Sequence, residues 1–209
     1  MTTPGPVARA AALASLGRST PPTPADTAHA RAGLADPDAR VRAAALGVLV
    51  RAVVDTVDDD WRAALGDPAP AVRRRAAELA PALDRRDVML EPLVVALDDP
   101  DVTVVEAVAW ALGELGDTGA VDALARVATG HRDALAREAA VAALGALGDA
   151  RGLPAILQAT TDRPAVRRRA VLALAPFEGD DVDAALVRAH GDKDWQVRQA
   201  AEDLTGEPG

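Results

Sequence analysis

A chain of 209 residues, 49% apolar and built mostly from Ala, Val and Leu, is long enough for one folded domain or a short repeat array. With three Trp, one Phe and no Tyr it is too poor in strand-favouring aromatics for a sheet protein, and with no Cys it excludes disulfide frameworks, thiolate nucleophiles and Cys-ligated metals. A formal net charge of -9, with Lys193 the one Lys among 23 basic residues, speaks against a general polyanion binder, because nucleic-acid affinity rests on phosphate neutralisation.

The chain opens on an Ala-rich segment, Pro6–Gly17, that predicts a helix, followed by a Pro-rich stretch, Ser19–Pro24. No basic stretch precedes the helix as it would in a secretory signal. No apolar run approaches the roughly 18–20 residues that span a bilayer. A cytoplasmic chain is therefore expected, and its first helix either caps the array that follows or stands apart from it.

From residue 25 onward one pattern recurs: an Asp, often followed by Pro, then a Val five residues on, an Arg beside it, and an Ala-rich run. It appears as Asp36-Pro37…Val41-Arg42, Asp67-Pro68…Val72-Arg73 and Asp99-Pro100…Val104-Val105, returns in weaker form as Asp133…Ala136-Arg137 and Asp162…Val166-Arg167, and comes last as Asp192…Val197-Arg198. The Val positions 41, 72, 104, 136, 166 and 197 are separated by 31, 32, 32, 30 and 31 residues. Within a copy the apolar residues fall at i, i+3, i+4, i+7 and i+8, as in Val104, Ala107, Val108, Ala111 and Leu112, which is one face of a helix. Asp-Pro is expected to cap this B helix and preset its first turn, and Leu115-Gly116-Asp117 and Leu147-Gly148-Asp149 to end it. Shorter A helices are read between them at Asp26–Ala35, Asp58–Gly66, Arg86–Leu97, Thr118–Ala128, Gly152–Ala159 and Asp180–Ala189.

Helical pairs that cannot bury their apolar stripes alone must stack on their neighbours. The predicted fold is an all-α, right-handed solenoid of about six helical hairpins, residues 25–54, 55–84, 85–116, 117–148, 149–178 and 179–206, behind the N-terminal helix and linker of residues 1–24. Polar Glu202 and Asp203 in the last copy suit a closed end, so a monomer is expected.

In these residues the chain resembles the HEAT-repeat proteins, particularly the short bacterial subclass named for phycobilisome lyases, whose D-P-x-x-x-V-R-x-x-A-A-x-A-L pattern is closely met by Asp36–Leu49. The resemblance covers residues 25–206 and implies that Asp36, Arg42, Asp67, Arg73, Asp162, Arg167, Asp192 and Arg198 form a structural ladder along the stacked B helices. Val105 and His131 replace the Arg and the Asp in the middle of the array, where Val105 is expected to pack between repeats.

Residues two, three and six places after the Val should point to the concave surface: Arg74, Arg75 and Glu78; Glu106 and Trp110; Glu138; Arg168 and Arg169; Gln199 and Asp203. Trp110 lies one helical turn from both Glu106 and Glu114, so the three share a face. Arg pairs about 30 Å apart (three steps of ~10 Å) flank it. Such a surface suits an extended or helical peptide, since aromatic and Arg side chains anchor interfaces and a partner's cation can lie over an indole. The opposing reading has Trp110 cover Ala-rich surface, and packing at repeat junctions is expected for Trp61 and Trp195. Asp58-Asp59-Asp60 is read as a solvated helix start.

Three catalytic families use related solenoids. Deoxyhypusine hydroxylases need repeated His-Glu pairs, whereas His29, His131 and His190 are each followed by another residue. Nothing in the sequence identifies a bilin site for a phycobilin lyase. Alkyl-purine DNA glycosylases use Trp, Asp and Arg in a cleft, which Trp110 and the Arg pairs could imitate, but the net charge opposes nucleic acid as a partner. The sequence thus reads as a non-enzymatic scaffold for a protein or peptide, with no cofactor, no metal and no membrane contact. A nucleic-acid-binding relative of the glycosylases and a phycobilin-lyase-like chaperone or lyase are the alternatives.

Overall fold

The computed structural model describes residues 4–16, 22–52 and 56–206, and among these there is no strand. Thirteen α-helices follow one another among them: α1 Pro6–Ser15, α2 Pro24–Gly33, α3 Ala39–Ala52, α4 Asp58–Leu65, α5 Pro70–Leu83, α6 Arg86–Ala96, α7 Val102–Leu115, α8 Val121–Gly130, α9 Ala134–Leu147, α10 Leu153–Ala159, α11 Pro164–Ala173, α12 Asp180–His190 and α13 Trp195–Thr205. The chain forms two compact units, Met1–Pro92 and Leu93–Gly209. Residues 19–21 of the Pro-rich stretch and the expected boundary at residues 54 and 55 lie outside the described residues.

In the first unit α2 pairs with α3 and α4 with α5, and the B helices α3 and α5 stack side by side. Their core contains the expected apolar positions Val41, Ala45, Val48 and Leu49 on α3 and Val72, Ala76, Leu79 and Ala80 on α5, joined by Leu46 and Ala77 one place outside the expected stripe, and all of these are buried. Trp61 of α4 is fully buried, and its Nε1 donates to the Ala76 carbonyl at 2.8 Å, so the junction expected for it carries both volume and a hydrogen bond.

Helix α1 packs on α3 as α5 does, in the position of a B helix. The residues explain it. Arg9-Ala10-Ala11-Ala12-Leu13 repeats Arg42-Ala43-Ala44-Ala45-Leu46, and Leu13 is buried like Leu46. The helix runs from Pro6 to Ser15, and its expected end at Gly17 lies outside the described residues. Helix α2 begins two residues earlier than expected, at Pro24. Thr23 and Asp26 form a reciprocal capping box, with Thr23 N to Asp26 Oδ2 at 2.9 Å and Asp26 N to Thr23 Oγ1 at 3.2 Å, and this places Pro24 in the first turn.

In the second unit the B helices α7, α9, α11 and α13 stack in succession, with α8 on α9, α10 on α11 and α12 on α13. Gly116 and Gly148 end α7 and α9 at φ 68° and 61°, a left-handed turn in which glycine is unstrained. Asp117 and Asp149 then accept from Gly119 N and Arg151 N, each starting a short 3-10 turn ahead of α8 or α10. The five residues after the Val position by five, Leu46, Ala77, Ala109, Val141 and Val171, are buried, whereas Glu202 at the same place in α13 is half-buried.

Close approach of the B helices depends on Gly145. A Cβ there would lie 2.7 Å from both Cα and Cβ of Ala173 and 3.1 Å from its carbonyl oxygen, so backbone on α11 would have to move. Gly145→Ala is therefore expected to destabilise by about 2 kcal/mol even though alanine is the better helix former. Gly130→Ala, where nothing lies within 4 Å, should be neutral or slightly stabilising. Urea denaturation of the two variants side by side checks the contrast.

The Asp of each Asp-Pro does not cap its B helix as expected. Asp36, Asp67 and Asp99, and likewise Asp192 before Lys193, accept instead from the amide two residues on, that of Asp38, Ala69, Asp101 and Asp194, at 2.8–2.9 Å. That turn places the true start two residues later. The caps proper are Asp101, Asp133 and Asp194, which accept from Thr103, Leu135 and Gln196. Pro37, Pro68 and Pro100 consequently lie before their helices, and it is Pro70 and Pro164 that stand in the first turns of α5 and α11.

Candidate functional site

Two sets of charged side chains run along the B helices, and they differ in what holds them. The first lies at the helix starts. Arg42 grips Asp67 of the next repeat with Nε to Oδ2 at 2.8 Å and Nη2 to Oδ1 at 2.7 Å, while its Nη1 donates to the Asp36 carbonyl at 2.8 Å. Arg137 holds Asp162 at 2.7 Å by both nitrogens and donates to the His131 carbonyl. Arg167 holds Asp192 at 2.8 and 2.7 Å and donates to the Asp162 carbonyl. For Arg42, Arg73 and Arg198 the offset of six residues thus connects an Arg to the carbonyl of its own repeat's Asp and not to that carboxylate, while Arg167 reaches the Asp162 carbonyl at an offset of five. Carboxylate partners come from the following repeat because a guanidinium offers two parallel donors on one edge and a third nitrogen behind it.

Two members of this set were missed in the sequence. Arg9 of α1 makes the first such contact, with Nε and Nη2 both 3.0 Å from Asp36. Its signal was the Arg-Ala-Ala-Ala-Leu run shared with α3. Arg137 stood beside Ala136 in the repeat pattern, but with His131 at the preceding Asp position it was passed over. The interruption at Val105 and His131 has a local logic. Val105 is fully buried, and the His131 ring takes over the task of the absent Asp carboxylate: its Nδ1 accepts the Asp133 amide at 3.1 Å.

These contacts set the ionisation of the acids. The Arg42, Arg137 and Arg167 guanidinium groups hold the carboxyls of Asp67, Asp162 and Asp192 below the usual range, overcoming a desolvation that acts the other way. Hydrogen bonds from Arg40 bring Asp38 down to about 2. A depressed carboxyl pKa adds stability above the unfolded value, near 3.9 for Asp, which is lost as pH falls through the folded value. Stability should therefore decline below about pH 4, and Asp162→Asn should flatten that decline. Urea midpoints between pH 6 and pH 2 for both proteins test this.

The second set lies further along the B helices, on the stripe left open by packing. In the first unit it is largely self-paired: Arg74 and Arg75 both reach Glu78, at 3.4 and 3.1 Å. In the second unit Arg169 pairs with Glu138 at 3.6 Å, and Gln199 donates to Asp203 at 2.9 Å. Among the described residues no hydrogen bond or ion pair engages the side chains of Glu106, Glu114 or Arg168. Between the two glutamates stands Trp110 of α7, with 48% of its surface exposed.

The other two tryptophans separate sharply. Trp61 is a core residue. Trp195, expected to pack at a repeat junction, is instead 65% exposed, because it occupies the first position of α13, two residues ahead of the core position Val197. The acidic run at the start of α4 is consumed by ion pairs of Asp58 with Arg85, Asp59 with Arg62 and Asp60 with Arg31. Among the described residues no three His, Asp or Glu side chains converge as a metal site would require, and no helix is long and apolar enough to cross a membrane.

The sequence profile of HEAT repeats matches residues 59–145 and 127–204. This chain is a HEAT-repeat protein. Its HEAT repeats resemble those of several solved structures. The complex of CpcE and CpcF of phycocyanin lyase from Nostoc sp. PCC7120 is similar at 27% identity over 84% of this chain and 74% of that one, with a TM-score of 0.62. A designed armadillo repeat protein in complex with the peptide (KR)4 shares the fold at 17% identity, 85% and 97% coverage and TM-score 0.59. YibA of E. coli shares it at 16% identity, 96% and 74% coverage and TM-score 0.61. Among curated protein sequences none matches this HEAT-repeat chain.

Proposed function

We propose that this HEAT-repeat protein is a non-enzymatic scaffold that receives a protein or peptide on the open stripe of its B helices and acts as a monomer. The observation that carries the reading is the state of Trp110. In a chain with three tryptophans, one of which is buried and hydrogen-bonded, this indole stands half in solvent at mid-helix, on a stripe where its neighbours carry unspent charge. Large aromatic side chains are the usual energetic anchors of interfaces, and leaving one exposed without a partner is unfavourable. Rows of B-helix side chains on a stiff array offer a partner many contacts at little ordering cost.

A second reading, a phycobilin-lyase-like role, is favoured by the 27% identity over most of the chain to the phycocyanin lyase complex. Both readings meet one experiment: affinity capture from a nuclease-treated bacterial lysate with the wild type beside a Trp110→Ala/Arg168→Glu variant. The scaffold reading expects at least one protein held by the wild type and reduced tenfold or more by the variant. Capture of a bilin-bearing protein, seen by its visible absorbance, turns the reading toward the lyases. Capture of nucleic acid alone in a parallel untreated sample sinks it.

A further inference from the structure

Resting on the scaffold reading, the chemistry of the open stripe in the second unit can be taken one step further, to the kind of segment it fits. Trp110 is bracketed on α7 by Glu106 four residues before it and Glu114 four after. Side chains at that spacing lie one turn apart on one helix face, their Cβ atoms about 6 Å from the indole's own. An ammonium or guanidinium over the indole would be within reach of both carboxylates, and neither carboxylate is engaged elsewhere among the described residues. An exposed aromatic face with two free anions beside it is electrostatically complete only with a cation upon it.

The stripe continues from α7 over α9 to α11. The floor on α9 is small, Ala139 and Ala142 half-buried and Ala146 exposed, so a chain can lie close to the helix backbone. On α11 the free charge changes sign, because Arg169 is taken by Glu138 while Arg168 is exposed and unpaired. Two helix-to-helix steps of roughly 8–10 Å separate α7 from α11. Close approach at Gly113–Ala143 and Gly145–Ala173 keeps those steps short. The span of about 16–20 Å equals about five or six residues of extended chain at ~3.3 Å each.

We propose that the B-helix stripe of the second unit binds an extended peptide segment carrying a Lys or Arg, seated on Trp110 between Glu106 and Glu114, and an Asp or Glu about five or six residues away, paired with Arg168. An acidic partner throughout would be repelled by the two glutamates, and a basic one throughout by Arg168.

The probe is a displayed library of random twelve-residue peptides, selected on the full-length wild-type protein and counter-selected on Trp110→Ala. The expected result is a Trp110-dependent set of peptides enriched in a basic and an acidic residue at that spacing. For a selected peptide, Glu106→Gln/Glu114→Gln should weaken binding about tenfold. Asp181→Asn/Asp183→Asn, which removes the same charge from exposed positions on α12, should change it less than twofold. Arg168→Glu should also weaken it about tenfold, and a peptide with its acid exchanged for Arg should restore it. Trp110-dependent peptides without the basic residue, or equal losses from the two carboxylate pairs, overturn this inference and leave the scaffold reading standing. A selection that yields no Trp110-dependent peptide overturns both.

Discussion

Trp61→Ala is expected to cost about 4 kcal/mol, the largest loss from any single truncation proposed for this protein. The residue is wholly inside the first unit, where α4 meets α5, and its indole nitrogen donates to the Ala76 carbonyl at 2.8 Å. Truncation removes an aromatic side chain from a core made largely of Ala, Val and Leu, and small neighbours have little reach with which to collapse into the space left behind. It also removes a hydrogen bond between α4 and α5. Against a total stability of typically 5–15 kcal/mol, such a loss brings a domain close to its unfolding threshold. Trp61→Phe separates the two contributions, because it keeps most of the volume and loses the donor, and should cost about 1–2 kcal/mol. Urea unfolding followed by far-UV circular dichroism measures both. A loss below 1 kcal/mol for Trp61→Ala would mean that α4 does not depend on its tryptophan.

The contrast between Trp61 and Trp195 shows where the sequence stops being legible. Both stand near helix starts beside acidic residues, and periodicity treats them alike. What separates them is register: Trp61 is on the inward face of an A helix, whereas Trp195 precedes the first inward position of α13. The Val positions and the i, i+3, i+4 pattern behind them placed every B helix, because a stripe that must be buried leaves a strong periodic mark. The Asp-Pro pairs were misread as caps. A carboxylate two residues before the first turn and one at its start look the same in sequence and differ in which amide they accept.

The same limit applies to the open stripe. Its positions follow from the repeat, so Arg74, Arg75, Glu78, Glu106, Trp110, Glu138, Arg168, Arg169 and Gln199 could be set on B helices in advance. Which of them are spent on each other depends on contacts the repeat does not encode. Arg168 and Arg169 are adjacent and chemically identical, yet one is tied to Glu138 on the preceding B helix and the other is free. That difference decides which residue can meet a partner, and only side-chain geometry supplies it.

Replacing Arg137 by Val should cost about 2 kcal/mol, and replacing both Arg137 and Asp162 should cost less than either change alone. The pair is partly buried, with side-chain exposures of 14% and 20%, and both donors of the guanidinium edge are 2.7 Å from the carboxylate. Removing one partner leaves the other partly desolvated without compensation, which is what makes single truncations of such pairs costly. Partial exposure holds the loss below that of a fully buried pair. The protein already contains the double replacement: Val105 and His131 hold the Arg and Asp positions together, Val105 is buried, and the His131 ring keeps the turn that the Asp side chain makes elsewhere. Arg137→Val with Asp162→His puts the same two residue types one repeat further on, where Asp162 accepts from the next amide, that of Arg163, at 2.6 Å. A double-mutant cycle read by urea denaturation should show a coupling of about 2 kcal/mol. Additive losses would mean that the paired substitution at Val105 and His131 is coincidence and that each Arg acts mainly through the carbonyls of its own repeat. Strong coupling would mean that the rungs are exchanged as units, so that an array of this kind can trade an ion pair for apolar packing between any two repeats without losing their register.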